Sequence, residues 1–187
     1  MRDIETSTQT LAGSLLLASP QLLDPNFDKS VILLSVHSED EGAMGVIINR
    51  PSGQTMSDID DGFSQTNLAQ VPVYFGGPVS NHEVILAAWQ CHPEEGTFKL
   101  YFGISDDKAR ELREDDPTSE LRAFLGYTGW SKGQLEAEIM HESWVISHVN
   151  TAAISEKDGV ALWHTIFKAL EPDADILPDM PDDPSLN

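Results

Sequence analysis

Residues 30–51 read SVILLSVHSEDEGAMGVIINRP, and this stretch decides the fold. Ser30 to Val36 and Met44 to Asn49 are short runs rich in Val, Ile and Leu, the residues that suit a pleated, packed surface. Between them His37 to Ala43 carries Glu39, Asp40, Glu41 and Gly42, the composition of a solvent-exposed turn. The reading is an antiparallel hairpin. Runs of the same kind recur at Leu11 to Ala18, Val71 to Phe75, Val84 to Trp89, Thr97 to Phe102 and Trp144 to His148. The turn His92, Pro93, Glu94, Glu95, Gly96 joins two of these as a second hairpin. Working outward from residues 30–51 therefore gives a sheet assembled from short pieces.

Helical signals concentrate in the second half. Asp106 to Glu114 is charged, with Ala109 and Leu112 as a narrow apolar side. Pro117 follows Asp116 as a first helical residue follows its cap, which predicts a second short helix through Leu121 and Phe124. Ser131 and Gln134 have the spacing of a capping box, with Trp130 placed to close over Leu135. A last helix starts near Ser155 and puts Val160, Trp163, Phe167 and Leu170 on one face. Gly53 to Gln70 is polar and reads as a long surface excursion around one short helix.

The chain has 187 residues, and at roughly 150 residues per domain this points to one body. Residues 1–10 are polar and lack a hydrophobic period, which predicts a loose arm. Residues 171–187 hold five Asp, one Glu and four Pro with no Lys or Arg, which predicts an acidic flexible tail. The folded body is expected over 11–170. With 31 acidic and 11 basic side chains the formal charge is −20, so the molecule repels phosphate backbones, and direct nucleic-acid binding is not expected. No apolar run reaches the roughly 20 residues that span a bilayer, and Arg2 is offset by Asp3 and Glu5 before Leu11, against a signal peptide. Together with the lone Cys91, these features predict a cytoplasmic protein away from membranes.

Three motifs stand out. GVIINRP, residues 45–51, ends a strand in Asn49 and Arg50, where a guanidinium either clamps a carboxylate or phosphate at two points or pairs with one of the chain's own carboxylates. FGGPV, residues 75–79, is a turn device in which Gly76 and Gly77 also permit close approach of a ligand. GYTGWSKGQLE, residues 126–136, lacks the Lys-Ser/Thr that closes a Walker loop and the spacing of a dinucleotide loop, so it reads as a strand, a turn and a capped helix. The six histidines never stand at zinc-pair spacing, no GxSxG elbow is present, and Cys91 next to His92 points the other way on an extended segment. No metal, cofactor or catalytic residue is predicted.

With these three motifs the chain resembles the AlgH/YqgE family of small bacterial proteins. Gly13 through Ser30 resembles the family's opening, His37 and Gly45 fall in its strand pair, and Gln134, Leu135, Glu136 and Trp144 follow its closing pattern. Lys132 departs from it, standing where a small residue or proline is usual. The resemblance implies an α+β single domain: a mixed, mostly antiparallel, bent or barrel-like sheet with surrounding helices. It implies no established enzymatic activity, and a name that comes from a genetic link to transcription of alginate genes. The favoured reading is a noncatalytic regulatory or binding protein that meets a protein partner or small ligand through Asn49, Arg50, Gly76, Gly77, Gly129, Trp130 and Gln134. The alternative is an enzyme with an anion-binding pocket near Arg50 and a histidine as acid or base.

Overall fold

The computed structural model describes residues 10–92, 97–149 and 151–172. The arm at 1–10, the tail at 171–187 and the hairpin turn at 93–96 lie almost wholly outside the described residues.

Among the described residues nine strands form one sheet, curled into a half-barrel. They are β1 (Leu15–Ala18), β2 (Val31–Ser38), β3 (Gly42–Ile47), β4 (Pro51–Thr55), β5 (Pro72–Phe75), β6 (Val79–His92), β7 (Thr97–Ile104), β8 (Glu120–Trp130) and β9 (Trp144–Ser147). The order is β4-β5-β8-β3-β2-β1-β9, with β6 paired to β8 and β7 beside this path. The hairpin read from residues 30–51 is present, with Ile32 opposite Ile47 and His37 opposite Ala43. β1 and the first half of β2 are buried on both faces, Leu15, Leu17, Val31 and Leu33 in one cluster and Leu16, Ile32 and Leu34 in another. Double burial explains why these strands read as unbroken apolar runs instead of alternating ones.

The short helices α1 (Met56–Ile59), α2 (Asp106–Asp115), α3 (Gln134–Met140), α4 (Thr151–Glu156) and α5 (Gly159–Leu170) cover the sheet. Three departures from the sequence reading have local causes. The helix expected after Pro117 is the start of β8. Asp116 Oδ1 accepts from Thr118 N at 2.9 Å and so closes a tight turn, after which Leu121 and Ala123 face one core cluster and Phe124 the other. Packing on both faces overrides the helical propensity of Glu120 to Phe124. Helix α3 starts later than Ser131, behind Gly133 at φ +74°, and only half the capping box forms, with Ser131 N donating to Gln134 Oε1 at 3.0 Å. The last helix starts at Gly159, φ +60°, behind the cap Asp158, and Ser155 belongs to the separate helix α4.

Strand β8 is the hub of the sheet, antiparallel to β3 and β6 and parallel to β5. Its Arg122 is buried, 4% exposed, between the rings of Tyr74 and Trp89 at 4.5 and 5.0 Å from their centroids. The guanidinium donates to Glu120 Oε1 at 2.7 Å, Ile48 O at 3.0 Å and Ile154 O at 2.8 Å, and Asp158 Oδ1 stands 3.7 Å away. Tyr74 donates its hydroxyl to Asp158 at 3.0 Å, and Ser155 donates to Glu120 at 2.7 Å. One buried cation thus holds the end of β3, helix α4 and the cap of α5 to the sheet. Burial pushes the Tyr74 phenol from 10.0 up to about 12, against the attraction of Arg122 for a phenolate and with the repulsion of Asp158 and Glu120.

Replacing Arg122 by Met should lower unfolding free energy by about 3–5 kcal/mol in denaturant titration, because Glu120 is left beside an apolar side chain and two buried carbonyls lose their donor. The raised phenol pKa favours the protonated, folded form, so its contribution to stability is complete below pH 10 and is lost as pH rises toward about 12. Absorbance titration should find a phenol ionising near pH 12, about two pH units above the ordinary value, and Tyr74→Phe should remove that step.

Candidate functional site

Asn49 lies in the bend that follows β3 and Arg50 stands between that bend and β4, with the two side chains in different surroundings. Asn49 turns inward and is 3% exposed. Its Oδ1 accepts from Val31 N at 2.8 Å, and its Nδ2 donates to Lys29 O at 3.0 Å and Gly159 O at 2.9 Å. It ties the segment before β2 and the first residue of α5 to the exit of β3, and all its strong hydrogen-bonding capacity is used within the chain.

Arg50 turns outward and is half-buried. Nη1 donates to Asn26 O at 2.8 Å and Nη2 to Asp28 O at 3.1 Å. Among the described residues it has no carboxylate within ion-pair distance, so its partners are backbone carbonyls and the intramolecular ion pair envisaged for it does not form. Burial draws its pKa below the ordinary value, opposed by the charges of Asp28 and Asp24. Two carbonyls occupy two of the five guanidinium N–H groups and neutralise no charge.

A surface hollow of about 190 Å³ opens beside this side chain, lined by Arg50 with Asn26, Ile47, Phe75, Gly77 and Leu125 among its walls. Phe75 is 52% exposed there. Ile47 N donates to Gly76 O at 2.8 Å and Gly76 N donates to Leu125 O at 2.8 Å, which wedges the FGG turn between β3 and β8. A Cβ on Gly76 would stand 2.3 Å from Gly126 O, and one on Gly126 would stand 2.5 Å from Gly77 O. The two glycine-rich motifs are thus the two sides of one backbone crossing, and that crossing forms a wall of the hollow.

Gly129, Trp130 and Gln134 lie elsewhere, the first two at the far end of β8 and Gln134 at the start of α3, three to eight residues past Gly126. There Glu138 is the centre. Its Oε2 accepts from Trp130 Nε1 at 2.9 Å and Trp144 Nε1 at 2.7 Å, and its Oε1 accepts from Gln134 Nε2 at 2.9 Å. The two indoles meet edge to face with centroids 5.9 Å apart. Nearby, Leu11 N donates to His37 Nδ1 at 3.1 Å, so Nε2 carries the proton that His37 donates to Glu136 at 2.8 Å. These contacts fasten α3 to the sheet and use every polar atom they involve. Lys132, the family departure, reaches Asp40 at 2.9 Å between two exposed side chains, a contact of little energy. Nothing around Gly129 requires a glycine, the nearest contact of a Cβ there being Tyr127 at 3.6 Å. Of the seven candidate residues, then, the structure brings Arg50 and Gly77 to the hollow with Gly76 in its supporting turn, places Asn49 behind them, and sets the other three apart. Among the described residues no group of three or more His, Cys, Asp or Glu is arranged to hold a metal ion.

A curled α+β half-barrel with a cation-walled hollow at a strand exit is the class of protein these features define. The chain belongs to the AlgH-like family, whose model matches residues 15–175. It is 34% identical to a UPF0301 protein of Streptomyces avermitilis over 97% of this chain and 98% of that one, and 32% identical to a UPF0301 protein of Parabacteroides distasonis over 95% and 91%. Its fold is similar to the solution structure of AlgH from Pseudomonas aeruginosa, with a TM-score of 0.64 and 26% identity over 91% of this chain and 93% of that one. No helix of the described residues is long and apolar enough to cross a membrane.

Glu138, two residues past the motif at 126–136, was not among the candidates; the signal was its position four residues after Gln134, on the same side of α3. Glu138→Leu should destabilise the protein by about 2–3 kcal/mol and shift tryptophan emission, since two buried indole N–H groups lose their acceptor, whereas Glu138→Gln should cost about 1 kcal/mol.

Proposed function

We propose that this chain is a noncatalytic binding protein of the cytoplasm whose hollow beside Arg50 receives the anionic group of a small ligand or of a partner protein. One observation carries the reading. In a chain with 31 acidic side chains, this half-buried guanidinium hydrogen-bonds, among the described residues, to two backbone carbonyls and borders an open, partly apolar hollow. A carboxylate with an apolar body suits the cation on one side and Phe75, Ile47 and Leu125 on the other. A part in transcription, as the family name suggests, is then indirect, since a molecule of formal charge −20 repels duplex DNA. The enzyme reading asked for a histidine beside Arg50, and none lines the hollow among the described residues.

Native mass spectrometry of protein recovered gently from its own lysate should show a retained small mass or a stoichiometric partner. Titration with benzoate, followed by NMR, should shift the signals of Arg50, Phe75 and Gly77. Arg50→Ala should abolish both effects, and Arg50→Lys should weaken benzoate binding about tenfold for want of the two-point fork. Benzoate binding unchanged in Arg50→Ala, or no binding to the native protein, overturns the reading.

A further inference from the structure

A second hollow, of about 230 Å³, lies on the sheet face that carries the second core cluster. Met56 and Leu86 form its buried floor, and Ile59 and Val84, each 37% exposed, stand at its rim. The two charged residues that line it are both acidic, Asp60 and Asp106, and both are exposed. Among the described residues neither is in an ion pair.

The apolar rim continues beyond the hollow. Val84 on β6 is in register with Leu125 on β8, and Leu125 with Phe75 on β5, so the three side chains emerge on one face as a row across adjacent strands. The row covers about 10 Å at the usual strand spacing and ends on Phe75, the most exposed of the three. The helices α1 and α2 cover the next row on this face, which contains Val73, Ala123, Leu86 and Ile104, and stop short of this one. A cavity with an apolar floor, carboxylates as the charges of its lining and an apolar strip running from it is a surface with a defined complement.

We infer that this surface docks a basic, amphipathic segment of another protein, with an apolar side chain seated between Ile59 and Val84 and a Lys or Arg beside Asp60 and Asp106. Charge decides the occupant. A second copy of this chain would bring its own excess of carboxylates against these two, and residues 171–187 carry six acids and no base, so both are repelled. A cationic segment is instead drawn in by the field of a molecule with a formal charge of −20. The hollow between Ile59 and Val84 is separate from the Arg50 hollow, which the far end of the strip borders through Leu125 and Phe75, and the inference does not rest on the reading given for Arg50.

The test uses the full chain and two helical model peptides of equal length and hydrophobicity, one with Leu on one face and Lys on the other, the second with Glu in place of Lys. The Lys peptide should bind, shift the methyl NMR signals of Ile59, Val84, Leu86 and Ile104, and weaken as salt is raised. The Glu peptide should not bind. Ile59→Arg should reduce affinity at least about tenfold, while Val36→Arg, the same change at another exposed apolar position, on β2, should alter it less than about threefold. The pair Asp60→Asn with Asp106→Asn should also weaken binding and leaves the apolar floor intact. Equal binding of both peptides, methyl shifts elsewhere, Ile59→Arg and Val36→Arg having equal effects, or no binding of the Lys peptide overturns the inference. So does sedimentation that shows self-association broken by Ile59→Arg, which would make the occupant a second copy.

Discussion

A guanidinium inside an apolar strand costs several kcal/mol unless its donors are met, and Arg122 makes that cost the organising constraint of this fold. Its acceptors come from Glu120 on its own strand, from the last apolar residues of the β3 run and from α4, while Tyr74 and Asp158 bring in β5 and the cap of α5. These elements find satisfied partners only when all of them are in place. Asn49 repeats the device on a smaller scale, with one amide joining the segment before β2 to the start of α5. Arg50 is held outward at a rigid strand exit because the residue before it is locked inward.

The hairpin at residues 30–51 was legible because its two runs are buried and its turn is acidic, and β1 was legible for the same reason. The residues from Pro117 to Phe124 were misread because their local signals are helical, and only the two cores they separate make them a strand. For the glycines, sequence showed that turns were needed at 76, 77 and 126. It could not show that these turns pack against each other, since that contact joins segments about fifty residues apart.

The candidate site was legible in part. Asn49 and Arg50 are separated by the bend at residues 48–49, which buries the first and leaves the second half-buried, and the sequence marked the pair but not the bend. The distance between the Arg50 hollow and the Glu138 cluster was not available, because both border the same strand, β8, and a motif quoted as one stretch spans both places. Arg122 gave only a faint signal, a lone cation inside an apolar run. Phe75 gave none, because exposure of an aromatic depends on what the helices fail to cover.

The hub position of β8 also bears on how the chain is made. Strands β2, β3, β5 and β6 all leave the ribosome before residues 120–130, and three of them need β8 as a neighbour. β1 waits longer still for β9. Through most of synthesis the nascent chain therefore carries apolar strands with open edges and an Arg122 partner set that is incomplete. The acidic turns at residues 39–41 and 58–61 are already in place on that incomplete chain, and their mutual repulsion opposes edge-to-edge association between neighbouring nascent chains until the hub strand arrives.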